Sequence, residues 1–214
     1  MVDKSKYIGH SALAYNPDGD HFLLSNCTGG IQLWSEGEQN WEIVWENQLD
    51  SNSVTSLNFS PDGQHFLVAT NRDWVPHRNK GVYEERNQPY SEKGFPAELR
   101  QVKDFQLIQK FGTSADQAVF SPDGKYVATN EAYSFAIYDA KTGRQVLLMP
   151  KSGDNIFPLV TCLAFTPNSQ RLFVGFSSNV IQEYNLIGQL LREYKGHRST
   201  IRTLAVSPDG KFLL

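Results

Sequence analysis

The chain has 214 residues, 40% hydrophobic and 20% charged, with 20 Lys and Arg against 23 Asp and Glu, a formal charge of −3 and a sequence pI near 5.9. With 4 Trp, 9 Tyr and 13 Phe there is apolar surface for one globular core, and the slightly acidic balance argues against nucleic acid or an anionic membrane as the main partner. The longest nearly apolar stretch, residues 156–165, is half a bilayer span and contains Pro158, which excludes a spanning helix there.

Residues 1–7 are polar and show no signal-peptide core. Cys27 and Cys162 lie far apart, each inside a strand-like run, so neither a disulfide framework nor a zinc spacing is present, and both read as small buried hydrophobes in a reducing, cytoplasmic setting.

The first predicted unit spans residues 8–48. Leu13 and Tyr15, spaced by two, share one face of a strand that runs into Asn16-Pro17-Asp18-Gly19. Pro presets φ near −65°, Asp bonds the backbone just ahead and Gly accepts positive φ, so the tetrapeptide joins two antiparallel strands. Phe22-Leu23-Leu24 follows without alternation, the mark of a strand buried on both faces. Ile31-Gln32-Leu33-Trp34 gives a third strand and residues 41–45 a fourth.

The second unit, residues 52–111, repeats the scheme with Leu57, Phe59, Ser60-Pro61-Asp62-Gly63 and Phe66-Leu67-Val68, then carries an insertion at 71–103. Within it, Val82-Tyr83-Glu84 is expected as a displaced third strand, and Phe95-Pro96-Ala97-Glu98-Leu99 as the opening of a short helix, since Pro suits a first helical turn. The third unit, residues 114–150, has Ala118, Phe120, Ser121-Pro122-Asp123-Gly124, Val127-Ala128, Phe135-Ala136-Ile137-Tyr138 and a fourth strand at 144–149. The fourth, residues 158–195, has Leu163, Phe165, Thr166-Pro167-Asn168-Ser169, Leu172-Phe173-Val174, a third strand at 180–184 and a fourth at 189–195. A partial fifth, residues 199–214, has Leu204, Val206, Ser207-Pro208-Asp209-Gly210 and Leu213-Leu214.

The turn prolines stand 44, 61, 45 and 41 residues apart, a period of about 40–45 residues with one insertion. Four-stranded sheets apolar on both faces stack radially as propeller blades. The expected fold is therefore all-β: a β-propeller of four-stranded antiparallel blades, about four complete and part of a fifth.

The Ser-Pro-Asp-Gly hairpins, Leu33-Trp34-Ser35, Ile137-Tyr138-Asp139, Glu183-Tyr184-Asn185 and Gly196-His197 resemble the WD-repeat β-propeller family. The resemblance covers essentially the whole chain and implies a non-enzymatic scaffold that mediates protein–protein interaction through blade-edge loops. In that family a blade is often locked by Trp, Ser or Thr, His and Asp. Here only Trp34 is a Trp at the dipeptide position, Asp73 alone matches the hairpin Asp, with Asn179 as a stand-in, and His197 is expected to bond within its blade. Hairpins of this kind also occur in propellers that gate prolyl-oligopeptidase-like hydrolases, so the alternative is the propeller domain of a larger hydrolase whose catalytic part lies outside the segment. The chain is expected to be a piece of a larger, seven-bladed protein, or else to self-associate through its open propeller ends, unless residues 4–8 supply a further strand.

Long loops on a rigid scaffold are where binding tends to reside. In the insertion, Trp74, His77, Arg78, Tyr83 and Tyr90 offer the aromatic and guanidinium groups that dominate interaction hot spots, and they are the candidate partner-binding residues for a protein or peptide. The sequence holds no Gly-x-Ser-x-Gly elbow, phosphate loop or His-Glu-x-x-His motif. His10, His21, His65, His77 and His197 are scattered, and Asp116 with Arg202 is one pair of opposite sign at equivalent repeat positions. No catalytic residue, metal ligand or cofactor is expected. The sequons at Asn26 and Asn58 fall in predicted strands and read as accidental.

Overall fold

The computed structural model describes residues 10–26, 28–38, 40–49, 53–71, 95–131, 133–149 and 158–214. All regular structure among them is strand. The first sheet holds β1 (His10–Tyr15), β2 (His21–Asn26), β3 (Gly30–Glu36) and β4 (Trp41–Gln48). The second holds β5 (Ser53–Phe59), β6 (His65–Asn71), β7 (Ala97–Gln101) and β8 (Leu107–Phe111). The third holds β9 (Ala118–Phe120), β10 (Tyr126–Glu131), β11 (Ser134–Asp139) and β12 (Gln145–Leu148). The fourth holds β13 (Val160–Phe165), β14 (Arg171–Phe176), β15 (Ile181–Asn185) and β16 (Leu190–Tyr194). Each sheet is an antiparallel meander in chain order, and the first strands β1, β5, β9 and β13 stand beside one another in series. These are four propeller blades.

The turns form as their chemistry requires. In blade 2 the Ser60 hydroxyl donates to Asp62 Oδ1, the Gly63 N–H donates to the Ser60 carbonyl at 2.9 Å, and Gly63 sits at φ 69°. The His65 N–H closes back onto Ser60 Oγ at 3.0 Å. Ser121 and Asp123, Thr166 and Asn168, and Ser207 and Asp209 repeat the side-chain bond. In blade 4, Ser169 replaces Gly at φ 58°, and its hydroxyl accepts the Asp123 N–H of the preceding turn at 3.0 Å. A strained non-glycine conformation is thereby offset by an inter-blade bond.

The core lies between blades. Leu23, Ile31 and Leu33 of blade 1 meet Leu57, Phe59, Phe66 and Val68 of blade 2. Leu67, Leu99 and Phe111 meet Ala118, Val127 and Tyr138 of blade 3. Ala128, Phe135 and Ile137 meet Leu163, Phe165, Leu172 and Val174 of blade 4. The alternation along the second strands thus assigns neighbouring residues to opposite interfaces, which is why those strands read as continuous apolar runs. Polar bonds pin the same interfaces: Phe120 N–H to Asn58 Oδ1 at 2.8 Å, Leu163 N–H to Gln117 Oε1 at 2.7 Å, and Trp45 Nε1–H to the Val102 carbonyl at 2.8 Å.

Two expectations for the insertion are corrected. The third strand of blade 2 is β7, paired to β6 with Phe66 opposite Arg100 and Leu67 opposite Leu99, in place of residues 82–84. The residues expected to open a helix are part of that strand: Ala97 and Leu99 are buried toward blade 3, and the alternate positions Glu98 and Arg100 pair with each other at 2.6 Å. Residues 82–84 themselves, like Cys27 and residues 4–8, lie outside the described residues. The partial fifth unit is a hairpin with a single bridge, Val206 to Leu213. It is anchored by Ile201, Leu204, Val206 and Leu213 against Cys162, Phe173 and Ile181. A Cβ at Gly175 would collide with Cys162 Sγ and Ile201 Cγ2, so glycine permits that close approach.

Candidate interaction surfaces

Blades 1, 2 and 4 carry a side-chain brace between their third and outer strands that the sequence did not reveal. In blade 1, Trp34 Nε1–H donates to Gln32 Oε1 at 3.1 Å, and Gln32 Nε2 donates to Glu46 Oε2 on the outer strand at 3.5 Å. Blade 4 repeats this with Tyr184 to Gln182 at 2.6 Å and Gln182 to Glu193 at 2.7 Å. Blade 2 uses charge instead, with Arg100 and Lys110 both on Glu98. Gln32 faces Glu46, Glu98 faces Lys110 and Gln182 faces Glu193 in register. His197, expected to bond within its blade, is exposed and borders the hollow beside the terminal hairpin. Asn179 serves a turn at φ 68°, and Asp73 lies outside the described residues.

Position 183 differs between blades. Its equivalents facing the second strand, Leu33, Leu99 and Ile137, are apolar, whereas Glu183 is a buried carboxylate. Arg171 Nη1 donates to its Oε1 at 2.7 Å and the Tyr194 hydroxyl to its Oε2 at 2.9 Å. It faces a hollow of about 890 Å³ beside the terminal hairpin, also lined by Arg192, His197 and Lys211.

The outer strands share a second device. Register slips at one point in every blade, between Leu33 and Trp34, Leu99 and Arg100, Ile137 and Tyr138, and Glu183 and Tyr184. The extra residues are Val44, Ile108, Val146 and Leu191, all exposed aliphatics. A bulge on an edge strand blocks pairing with a foreign strand. Val44 and Ile108 line two equivalent grooves on the proline-turn side, between blades 1 and 2 (about 620 Å³) and between blades 2 and 3 (about 480 Å³).

The end of β6 and the start of β7, which flank the insertion, lie on the opposite side. The candidate residues Trp74, His77, Arg78, Tyr83 and Tyr90 all lie outside the described residues. On this same side a groove of about 390 Å³ opens between blades 3 and 4, lined by Tyr133, Phe135, Met149, Phe176, Val180 and Tyr184. Tyr133 is exposed at its mouth.

The remaining candidates are solvated or structural. Asp116 and Arg202 are both exposed. His21 Nδ1 lies 3.3 Å from Asp18 and His65 Nδ1 4.0 Å from Asp62, equivalent turn contacts. Asn26 Oδ1 accepts from the Thr28 and Gly30 amides, a local turn role. Burial pushes the Cys162 thiol above its ordinary range, so it is a poor nucleophile. Among the described residues no group of three His, Cys, Asp or Glu could hold a metal, and no helix is long and apolar enough to cross a membrane.

Four-stranded antiparallel sheets in series, with apolar interfaces between them and proline turns on one side, define a propeller-type repeat protein. The family model described as "WD domain, G-beta repeat" matches residues 44–74 and 188–214. The first match runs from the outer strand of blade 1 into the first two strands of blade 2, and the second from the outer strand of blade 4 into the terminal hairpin, so each sequence repeat ties neighbouring units together. A stretch of 101 residues is 31% identical to "Guanine nucleotide-binding protein subunit beta" of Arabidopsis thaliana, covering 44% of this chain and 27% of that protein's length. The chain is thus similar to the WD-repeat family in fold and in these two stretches.

Proposed function

We propose that the chain is a non-enzymatic scaffold whose protein or peptide partner docks on the side opposite the proline turns, at the Tyr133 groove, with the insertion residues Trp74, His77, Arg78, Tyr83 and Tyr90 as further binding residues. One observation carries this reading: on that side an apolar cleft with an exposed aromatic at its mouth shares the surface with the roots of the chain's longest inter-strand insertion. Rigid clefts bordered by aromatic-rich loops are the usual form of a hot-spot surface. Similarity to WD-repeat proteins supports a protein partner in general, and the Arabidopsis relative is, by its name, a subunit of an assembly. Neither comparison favours the hydrolase alternative. A reducing, cytoplasmic location is part of the proposal and accords with Cys162 as a buried free thiol.

The test is quantitative capture of partners by the unaltered chain, by Tyr133→Arg and by the double variant Trp74→Ala, Arg78→Ala. Loss of the same partners in both variants with unchanged melting temperature is expected. Full retention in both would remove this side as the binding surface, and equal loss of folding would make the residues structural.

A further inference from the structure

The two grooves on the proline-turn side are built from the same repeat positions, and every residue that lines them is among the described residues. In the first, between blades 1 and 2, the turn carboxylates Asp18 and Asp62, the His21 imidazole and the Lys103 ammonium surround Leu33 and Val44. In the second, between blades 2 and 3, Asp62, Asp123, His65 and Lys141 surround Leu99 and Ile108. The fold does not require this set. Between blades 3 and 4 the same positions carry Tyr126 for the histidine, Asn168 for the second aspartate and Ile187 for the lysine, and the Ser169 hydroxyl ties the two turns together by accepting the Asp123 N–H at 3.0 Å. Blades 3 and 4 bury their interface without those charges, so packing does not account for them in the first two grooves.

Three of the charges are available to a partner. Lys103 and Lys141 are exposed and form no ion pair among the described residues, and Asp139, near Lys141, is engaged by Thr142. Asp62 belongs to both grooves, on the ridge that separates them. The two bonds its turn needs, from the Ser60 hydroxyl and the Gln64 N–H, both fall on Oδ1, which leaves Oδ2 of a side chain 63% exposed to accept from outside. Asp18 and Asp123, by contrast, are paired with His21 at 3.3 Å and with Lys125 at 3.2 Å. Beside these charges stand two aliphatic ledges, Val44 at 55% and Ile108 at 48% exposure, which the bulges release from the strand ladder. Carboxylates in both grooves repel phosphate, which argues against nucleic acid and anionic lipid. Aliphatic ledges framed by charges of both signs are complementary to a polypeptide that carries the opposite signs.

We propose that the two grooves together bind one extended segment of a protein partner: an aliphatic side chain lies on each ledge, a Lys or Arg between them pairs with Asp62, and flanking Asp or Glu residues pair with Lys103 and Lys141. Each groove alone is a weak site. One segment that engages both gains affinity, because its second contact is intramolecular. The surface lies on the side opposite the Tyr133 groove and includes no residue of the insertion, so it stands or falls separately from partner binding there.

Blade 4 supplies variants that spare the fold. Asn168 accepts the same two turn bonds as Asp62, from the Thr166 hydroxyl and the Gln170 N–H, and Ile187 is 82% exposed at the position of the lysines. Asp62→Asn, Lys103→Ile and Lys141→Ile therefore install residues that this chain already carries, and a melting curve checks each. The probes are short labelled peptides with two leucines at varied spacing, a central lysine and outer glutamates, together with charge-reversed and leucine-to-serine versions, and binding is read by fluorescence anisotropy. The first kind is expected to bind at a preferred spacing, more tightly than either control. Each charge variant should weaken it by about 3- to 5-fold, the value of one exposed ion pair, and Ile108→Ser by about tenfold, the value of an aliphatic anchor. Replacing the central lysine of the peptide by glutamine should abolish the difference between Asp62→Asn and the unaltered chain. No binding at any spacing overturns the proposal. So does equal binding of the charge-reversed peptides, and so does binding that these four variants leave unchanged or that Tyr133→Arg removes.

Discussion

Blades 1 and 2 carry nearly the same residues at the same repeat positions and end in different environments. Phe66 and Phe22 both follow a turn proline by five residues. Phe66 is fully buried among Phe59, Trp45 and Phe105, while Phe22 lies in an aromatic cluster that faces solvent on one side. What buries a propeller residue is therefore the neighbouring blade, and a repeat unit specifies half of each interface it enters.

The largest expected effect tests that difference directly. Phe66→Ala removes a ring packed from all sides and is expected to cost about 3–5 kcal/mol in a denaturant titration. Phe22→Ala leaves no closed cavity and is expected to cost about 1–2 kcal/mol, the share of a half-buried ring. Equal costs would show that the aromatic cluster around Phe22 is as tightly held as the interior, and the contrast between the blades would lose its basis.

A second contrast separates blade 4 from the others at position 183. Glu183→Ala leaves the Tyr194 hydroxyl and Arg171 without their acceptor, and is expected to destabilise by about 1–3 kcal/mol. Glu183→Leu installs the apolar type found at Leu33 and Leu99, and is expected to recover part of that loss, because the added apolar packing offsets the lost acceptor. Arg171, whose side chain is half exposed, can return to water. If Glu183→Leu were as damaging as Glu183→Ala, the carboxylate would be required for more than filling the site.

The same contrast explains which parts of the fold could be read from sequence. The turns were legible because Pro, Asp and Gly each have a fixed backbone task, and the second strands because burial on both faces leaves no polar alternation. The third strand of blade 2 was not. Its alternate positions, Glu98 and Arg100, are charged but neutralise each other between the blades, and Pro96 imitates a helix start, so Val82-Tyr83-Glu84 looked more strand-like than Ala97–Gln101. The glutamine braces were hidden for another reason: Gln32 and Glu46 lie 14 residues apart and meet only across a bulged pair of strands. Of the candidate site, the sequence pointed to an aromatic-rich insertion, but the Tyr133 groove needs Phe135 and Met149 of blade 3 beside Phe176 and Val180 of blade 4, a juxtaposition that only the radial packing creates.

The smallest expected effect compares turns that differ by one titrating group. At Asp62, burial raises the carboxyl pKa, but hydrogen bonds from the Ser60 hydroxyl and the Gln64 amide, with His65 nearby, outweigh it and hold the group below its usual range. At Asp123, burial is likewise outweighed by Ser121 and by the Lys125 amide and ammonium. A depressed folded-state pKa means that the unfolded chain takes up the proton first as pH falls. The turn's contribution is then complete above the ordinary carboxylate range, and is lost as pH drops below about 4 and passes through the folded value. Blade 4 has Asn168 in that place, accepting the Gln170 N–H at 3.2 Å with nothing to titrate. Amide protection at Gln64 and Lys125 should therefore fall on acidification while that at Gln170 holds, and Asp123→Asn should make Lys125 behave like Gln170. Parallel loss at all three amides would show that acid opens the blades as a whole, and that the turn carboxylates are not where the pH dependence begins.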